Sequence, residues 1–530
     1  MADDAIRPHG VGIRGLTLAP RSPMFSGPFG RIFRALLPAD FGPSDTASEA
    51  ALTALGTAMV ADQDPAKDGP DAEESGIPAA YTYFGQFIDH DLTFDPASSL
   101  QRQNDPDALV DFRTPRFDLD SVYGRGPGDQ PYLYADGRHF LLGEALAGSA
   151  LGQALTANDL PRSRAKVVDP NGQARAIIGD PRNDENVIVS QLQGLMLRLH
   201  NKLANDHPDW SFTQVQQEVR FDYQWVVLND FLPTVVSHHV LHEVLPHLAH
   251  HSSLHQDKPR LEFYEPRDNP FMPLEFSAAA YRFGHSMIRP GYRLNDDTGP
   301  FPIFPFANDP NGTALTGFDQ FPGTWAIDWA RFLDLEPRPF GDENDPANPG
   351  NPQRTQLAYR IDTSLVNPLG SLPARVANDP PPSLASRNLV RGWRMRLPTG
   401  QDVARAMGVP VLPDSEILIG KFTGDAGDIK GDIVAVAGDM FKGMCPLWTY
   451  VLAETEEVVT TFKTTDGDKP IKTRRLGRVG GRIVAETFVG ILAGDSSSFL
   501  NLDPLWTPSL AVNGVFGLRE LVATALQGST

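Results

Sequence analysis

The chain has 530 residues, 41% hydrophobic and 21% charged, with 47 glycines and 47 prolines, which is the make-up of a loop-rich globular protein and not of a disordered or fibrous one. Its net charge of -20 argues against nucleic acid and anionic membrane surfaces as partners. The single cysteine, Cys445, excludes an intramolecular disulfide and disfavours zinc-finger or thiol-redox chemistry.

A Gly/Pro-rich arm is expected over residues 1–70 and one large domain over 71–530, although length alone would allow about three. The N-terminal residues lack the apolar run of a secretory signal, and no stretch of about 18 apolar residues is present to span a bilayer. A cytoplasmic location is the default expectation.

The first informative element is the helix predicted from Pro78 to Asp95, PAAYTYFGQFIDHDLTFD. Pro78 suits a first turn, and Gln86, Asp89 and His90 share one face by their i, i+3, i+4 spacing. Asp91 lies about 100° further round. A lone helical histidine is most often a satisfied core residue. Two polar faces on one apolar helix also suit a cofactor pocket backed by a cation site.

The loop RTPRFDLDSVYG, residues 113–124, places Thr114, Asp118 and Asp120 so that alternate positions offer oxygens. With Asp91 and the Arg116 carbonyl it has the six or seven oxygens that Ca²⁺ prefers, at ~2.3–2.6 Å. Taken alone the loop also fits an ordinary Asx-turn.

GDPRNDEN, residues 179–186, opens a second amphipathic helix over Glu185–Asn205 and sets Arg182 at its entrance. A third helix begins at Ser211, with Gln214 closing a capping box, and runs to Pro233. Residues 237–255 hold seven of the thirteen histidines, but Pro246 stands where a zincin pattern would need its second ligand, so a solvated helix end is the better reading. Gly424–Asp428 lacks the spacing of an EF-hand and reads as a surface turn.

Ser277–Ile288 is predicted helical and carries His285, with Gly284 removing bulk beside it and Pro290 ending it. Residues 339–354 and 376–385 read as loops, and a last helix is expected over Gly481–Leu492. Helix therefore dominates, with at most minor hairpins. No G-x-S-x-G, P-loop or dinucleotide fingerprint is present. A second buried histidine beside an acid-and-arginine pocket points to haem, one imidazole on iron and one facing the open position.

In chain order, GQFIDHDLTFDP, TPRFDLDSVYG, GDPRNDEN, LMLRLHNKLA, YRFGHSMIRP, RNLVRGWRMRLPTGQ and GGRIVAETFVGIL resemble the animal haem peroxidase family of the peroxidase–cyclooxygenase superfamily, over about residues 78 to 495. The resemblance implies that family's fold: mainly α, a helical core with long loops and little strand. It implies haem b and Ca²⁺ as cofactors, with hydrogen peroxide and small electron donors as partners. His90 becomes the distal base, Gln86 its neighbour in the peroxide pocket, and Arg182 the distal arginine. Asp89 and Glu185 match carboxylates that form ester links to haem. His285 matches the proximal iron ligand, and Arg282 is placed to pair with a haem propionate. Asp91, Thr114, Arg116 through its carbonyl, Asp118 and Asp120 match the calcium positions.

Two departures stand out. Asn186 occupies the position of the methionine that forms a sulfonium link to haem in one branch of the family. The family's proximal asparagine is assigned to Gln401 of LPTGQ, an acceptor on a longer stem. The expected activity is peroxide reduction with oxidation of iodide, bromide, thiocyanate or a small aromatic donor. A fatty-acid dioxygenase is the alternative from the same superfamily, but it needs a tyrosine three residues before His285, where Arg282 stands with Tyr281 one step off. A non-catalytic haem-binding protein is the alternative from another class.

Overall fold

The computed structural model describes residues 29–62, 65–93, 113–164, 172–250 and 252–528, the last with short interruptions at 255, 267–269, 307, 310–311, 375 and 378–379. Helix accounts for 39% and strand for 14%, in line with a mainly α protein. The helices that frame the centre are α1 (Asp45–Ala58), α2 (Ala80–Leu92), α3 (Val187–Asp206), α4 (Phe212–Val226), α5 (Leu384–Arg394), α6 (Gly400–Met407), α7 (Arg478–Gly494) and α8 (Leu518–Leu526). No helix of the described residues is long and apolar enough to cross a membrane.

Several boundaries differ from the sequence reading for clear reasons. Pro78 does not start α2. It ends the strand β1 (Glu74–Pro78), facing Leu357 across an antiparallel pair, a strand end being one of the few places where a missing N–H costs nothing. The Ser211–Gln214 capping box is formed as expected, and the chain continues beyond α4 through a π-turn at Val227–Phe231 and a last turn, Leu232–Val235, that accommodates Pro233. Ser277–Ile288 is not an α-helix: a single turn at Leu274–Ser277 is followed by a tighter 3₁₀ turn, Ala280–His285.

Among the described residues, strand is confined to small two-stranded sheets, as expected. The hairpins β2–β3 (Ala145–Ala150 with Gln153–Asn158) and β4–β5 (Glu456–Phe462 with Lys469–Arg475) are regular antiparallel pairs, two of six two-stranded sheets among the described residues. In β4 the β-branched run Val458–Thr461 drives pairing. The carboxylate-rich Gly424–Asp428 is a turn between two short strands, Leu418–Gly420 and Ile429–Asp432. The histidine-rich segment forms short helices at His238–Val244 and Pro246–His250, with Arg475 against His238.

The described part of the expected arm is built into the protein. Phe33, Phe41, Leu52, Leu55 and Met59 are buried in the same apolar core as α2, α3, α5 and α7, and Ser44 caps α1 by accepting from the Ala47 N–H. Residues 1–28 of that arm lie outside the described residues, as does the 94–95 end of the helix predicted from Pro78.

Candidate functional site

The site is assembled around α2, whose polar face carries Gln86, Asp89 and His90. The segment before α3 folds against it. Asp180 caps the 3₁₀ turn Pro181–Asp184 by accepting from the Arg182 N–H at 2.8 Å, and also receives the Arg182 guanidinium (Nη2 to Oδ2, 2.8 Å). The same guanidinium donates to the carbonyls of His90, at 3.0 Å, and Thr93. A cation is thereby fixed on the exposed carbonyls at the end of α2, where helix termini favour positive charge. Burial disfavours the Asp180 anion, but Arg182 and Arg113, the latter 2.7 Å away, outweigh it and hold its carboxyl well below the usual range.

His90 is 4% exposed, and its Nδ1 lies 2.7 Å from the Asn183 Oδ1. The Asn183 amide donates in turn to Gln193 Oε1 at 2.9 Å. This chain orients the Asn183 carbonyl toward the ring, so the His90 proton rests on Nδ1 and Nε2 keeps its lone pair. Burial, then the nearby Arg182 charge, lowers the His90 pKa to about 4. His90 is neutral at ordinary pH with Nε2 available as a base.

Gln86 links the neighbouring groups. It donates to Glu185 Oε1 at 3.2 Å and accepts from the Asn186 amide at 3.1 Å. Asn186 is the N-cap of α3, its Oδ1 accepting from the Ile188 and Val189 N–H groups. Asparagine at this position thus performs the work that helix initiation demands. Burial pushes the Glu185 carboxyl up to about 7. Asp89 accepts from the Thr93 hydroxyl at 3.1 Å.

The opposite wall is the Ala280–His285 turn, bonded to α2 through the Tyr281 hydroxyl, which donates to the Gly85 carbonyl at 3.1 Å. With three residues per turn, Arg282 and His285 eclipse one another. Both meet Asn388 of α5: its amide N–H donates to His285 Nδ1 at 2.8 Å, and its Oδ1 accepts from Arg282 at 2.9 Å. Burial, then Arg282, lowers the His285 pKa to about 3. The assignment of the proximal partner to Gln401 is therefore corrected. Gln401 opens α6, where its Oε1 accepts from the Cys445 N–H at 2.8 Å and its amide reaches Asp414 at 3.3 Å. The sequence signal for Asn388 was available in RNLVRGW, as a polar residue set between the apolar positions Ala385, Leu389 and Val390 on the buried side of α5.

Gln86, Asp89, Glu185, Arg282, Gly284 and His285 are enclosed by surrounding protein yet retain accessible surface. This group, on α2, on the turn before α3 and on the 3₁₀ turn that Tyr281 ties to α2, is the candidate cleft. A Cβ on Gly284 would meet no atom within 4 Å, so glycine leaves open space next to His285.

Behind α2, Asp91, Asp118 and Asp120 bring one carboxylate oxygen each within 4.8 Å of one another. Leu119, at φ 55°, turns the loop sharply and lets its two flanking aspartates converge, a left-handed conformation that a bulky residue adopts only under constraint. Asp91 accepts from the Leu119 N–H at 3.2 Å and the Ser121 hydroxyl at 3.3 Å. The Thr114 hydroxyl donates to Asp118 at 2.6 Å. Arg116 bonds the Thr114 carbonyl through its backbone N–H, and its side chain extends toward Asp495. Burial and then repulsion from Asp118 raise the Asp120 pKa to about 7 and drive Asp91 well above its ordinary value. Arg113 answers Asp120 at 3.1 Å, one cation for three crowded acids.

Residues 100–308 match the family model of the animal haem peroxidases. Peroxinectin A of Dictyostelium discoideum is 24% identical over 389 residues, 68% of this chain and 64% of that protein. The solved structure of peroxidase A from the same organism superposes with a TM-score of 0.54 at 17% identity, covering 94% of this chain and 93% of that one. Over these residues and in overall fold the chain is similar to animal haem peroxidases.

Chorion peroxidase of Aedes aegypti is 28% identical over 191 residues, 31% of this chain and 23% of that protein. The chain thus spans under two thirds of the length of either curated relative. The matching family model is one of haem proteins, and the residues present fit such a group: a buried histidine on α2, a second on the adjoining 3₁₀ turn, and a glycine that leaves room beside it. The crowded acids behind α2 fit a divalent cation, because hard oxygen donors with raised pKa values are relieved by positive charge.

Proposed function

We propose that this protein is a haem peroxidase that reduces hydrogen peroxide and oxidises small anions such as iodide, bromide or thiocyanate, or small aromatic donors. The observation that carries this reading is His90: a buried, neutral imidazole held by Asn183 with Nε2 available as a base, on a helix that contacts the turn carrying His285. Haem bound in the cleft supplies the iron at which the O–O bond is cleaved and the donor's electrons are collected. His90 takes a proton from peroxide at Nε2 and returns it to the departing oxygen, work typically worth ~10²–10⁴-fold. Arg182, anchored by Asp180, provides fixed positive charge beside the reacting oxygens.

Gln86 serves as the polar neighbour that orients small anions next to His90. Asp89 and Glu185 are the candidates for ester links to haem. Asp91, Thr114, Asp118 and Asp120, with the Arg116 carbonyl, are the candidate Ca²⁺ ligands. His285 would hold the haem iron; with the Asn388 amide turned end over end its Oδ1 would accept from His285 Nδ1–H, and Arg282 would be free to pair with a haem propionate.

No observation favours the dioxygenase. Tyr281 is stacked on Phe276 at 4.6 Å and tied by its hydroxyl to Gly85, and Arg282 stands at the relay position. The test is peroxide-dependent iodide oxidation by the haem-loaded protein. Turnover with the wild type and loss of bound haem in His285→Ala support the reading. Oxygen uptake on linoleate without peroxide, with no iodide oxidation, overturns it in favour of the dioxygenase.

A further inference from the structure

Away from the cleft, a cavity of about 260 Å³ lies between β3, α3, residues 327–336 and the C-terminal helix α8. None of its lining residues belongs to the cleft. Arg198 lines it from α3 and is 5% exposed. Among the described residues its hydrogen bonds go to backbone carbonyls: Gly528 at 2.7 Å, Leu526 at 3.1 Å and Thr156 at a long 3.5 Å. Its Nε–H has no acceptor. Burial holds the guanidinium below its usual range, and no carboxylate of the described residues opposes it.

The carboxylates that share the cavity are already answered. Asp328 and Glu336 meet Arg338 at 3.0 and 2.8 Å, and Asp328 meets Arg331 at 3.2 Å. Gln191 is satisfied on both sides, donating to the Trp325 carbonyl and accepting from the Ile327 N–H. Asn158 is not: its amide reaches the Gly143 carbonyl, while its Oδ1 is buried without a donor. The remaining wall is apolar, with Leu155, Leu195, Trp329 and Leu335.

An unanswered buried cation beside an apolar void is costly for the empty protein, and a carboxylate is the group that matches a guanidinium best. We propose that this cavity binds a small carboxylic acid with a compact apolar body, an arylalkanoate, with its carboxylate on Arg198. The volume is just below the ~300–1,000 Å³ of ordinary ligand pockets, enough for a single ring on a short chain. Leu526 and Gly528 connect Arg198 to the end of α8, so the C-terminal helix closes the site. The proposal stands apart from the haem reading, and its test measures binding and not turnover.

The probe is 3-phenylpropanoate, titrated calorimetrically into the full-length, haem-loaded protein, with 3-phenylpropanamide as the uncharged molecule of the same shape. Saturable one-to-one binding is expected, weakened at least about tenfold by the amide and by Arg198→Gln. Leu335→Trp, which fills the cavity from a partly exposed position and leaves Arg198 in place, should abolish binding. The two variants are independent, so misfolding of one leaves the other decisive. Absence of wild-type binding, equal affinity for the amide, or full affinity in Leu335→Trp each overturns the proposal.

Discussion

At the scale of single residues, the site depends on which ring nitrogen of His90 carries the proton. Asn183 decides it, and Gln193 decides Asn183. Asn183→Ala should leave haem bound but slow peroxide reduction by about 10–100-fold, a part of what general acid–base catalysis contributes, measured by stopped-flow mixing. The sign of the pH dependence follows from the lowered His90 pKa. The folded state keeps the ring neutral down to about 4, so the stability this group contributes is present above its unfolded value of about 6.5 and is lost as pH falls through 4. The reaction with peroxide should fail over the same acidic limb. Asn183 and Asn388 are the two site residues the sequence reading missed. Each is an amide whose value lies in one hydrogen bond to a histidine distant in sequence: spacing marks Asn388 as a polar residue on a buried helix face, but does not say which histidine it meets.

At the scale of elements, α2 is fastened on both sides. Arg182 holds its carbonyl end, and the 113–124 loop meets Asp91 behind it. Asp91 and Asp120 are pushed up, Asp120 to about 7. Without a cation these acids contribute stability below their unfolded values near 4 and lose it as pH rises through about 7. Chelation should therefore lower the melting temperature more at about pH 8 than at about pH 5. An equal shift at both would show that no cation is held by these carboxylates. Asp91→Ala should remove the chelator effect and disturb the haem absorption band through His90, its neighbour on α2.

Much at this scale was legible in advance. The Ser211 capping box, the entrance of α3 and the two faces of α2 follow from side-chain chemistry within one or two turns. The Ala280–His285 segment did not, because its apolar spacing suits an α-helix while its packing against Gly85 and Asn388 selects a tighter turn.

At the scale of the whole molecule, the helical character and the minor role of hairpins were read correctly from periodicity, whereas the positions of the two regular hairpins were not. Ala145–Asn158 is rich in alanine and glycine and gives little strand signal. The Gly/Pro content of residues 29–70 suggested an arm, yet α1 buries Leu52 and Leu55 completely and packs against α5, the helix that carries Asn388. Leu55→Ala should cost about 2–5 kcal/mol, seen as a lower urea midpoint, and should loosen haem binding by way of α5.

The central claim is that His90 and Arg182 cleave peroxide on haem held by His285. The most direct measurement is the rate at which the haem-loaded protein reacts with hydrogen peroxide, compared with His90→Ala and Arg182→Ala that retain the wild-type haem content. A fall of about 10²-fold or more in each variant is the expected result. Unchanged rates in both would contradict it.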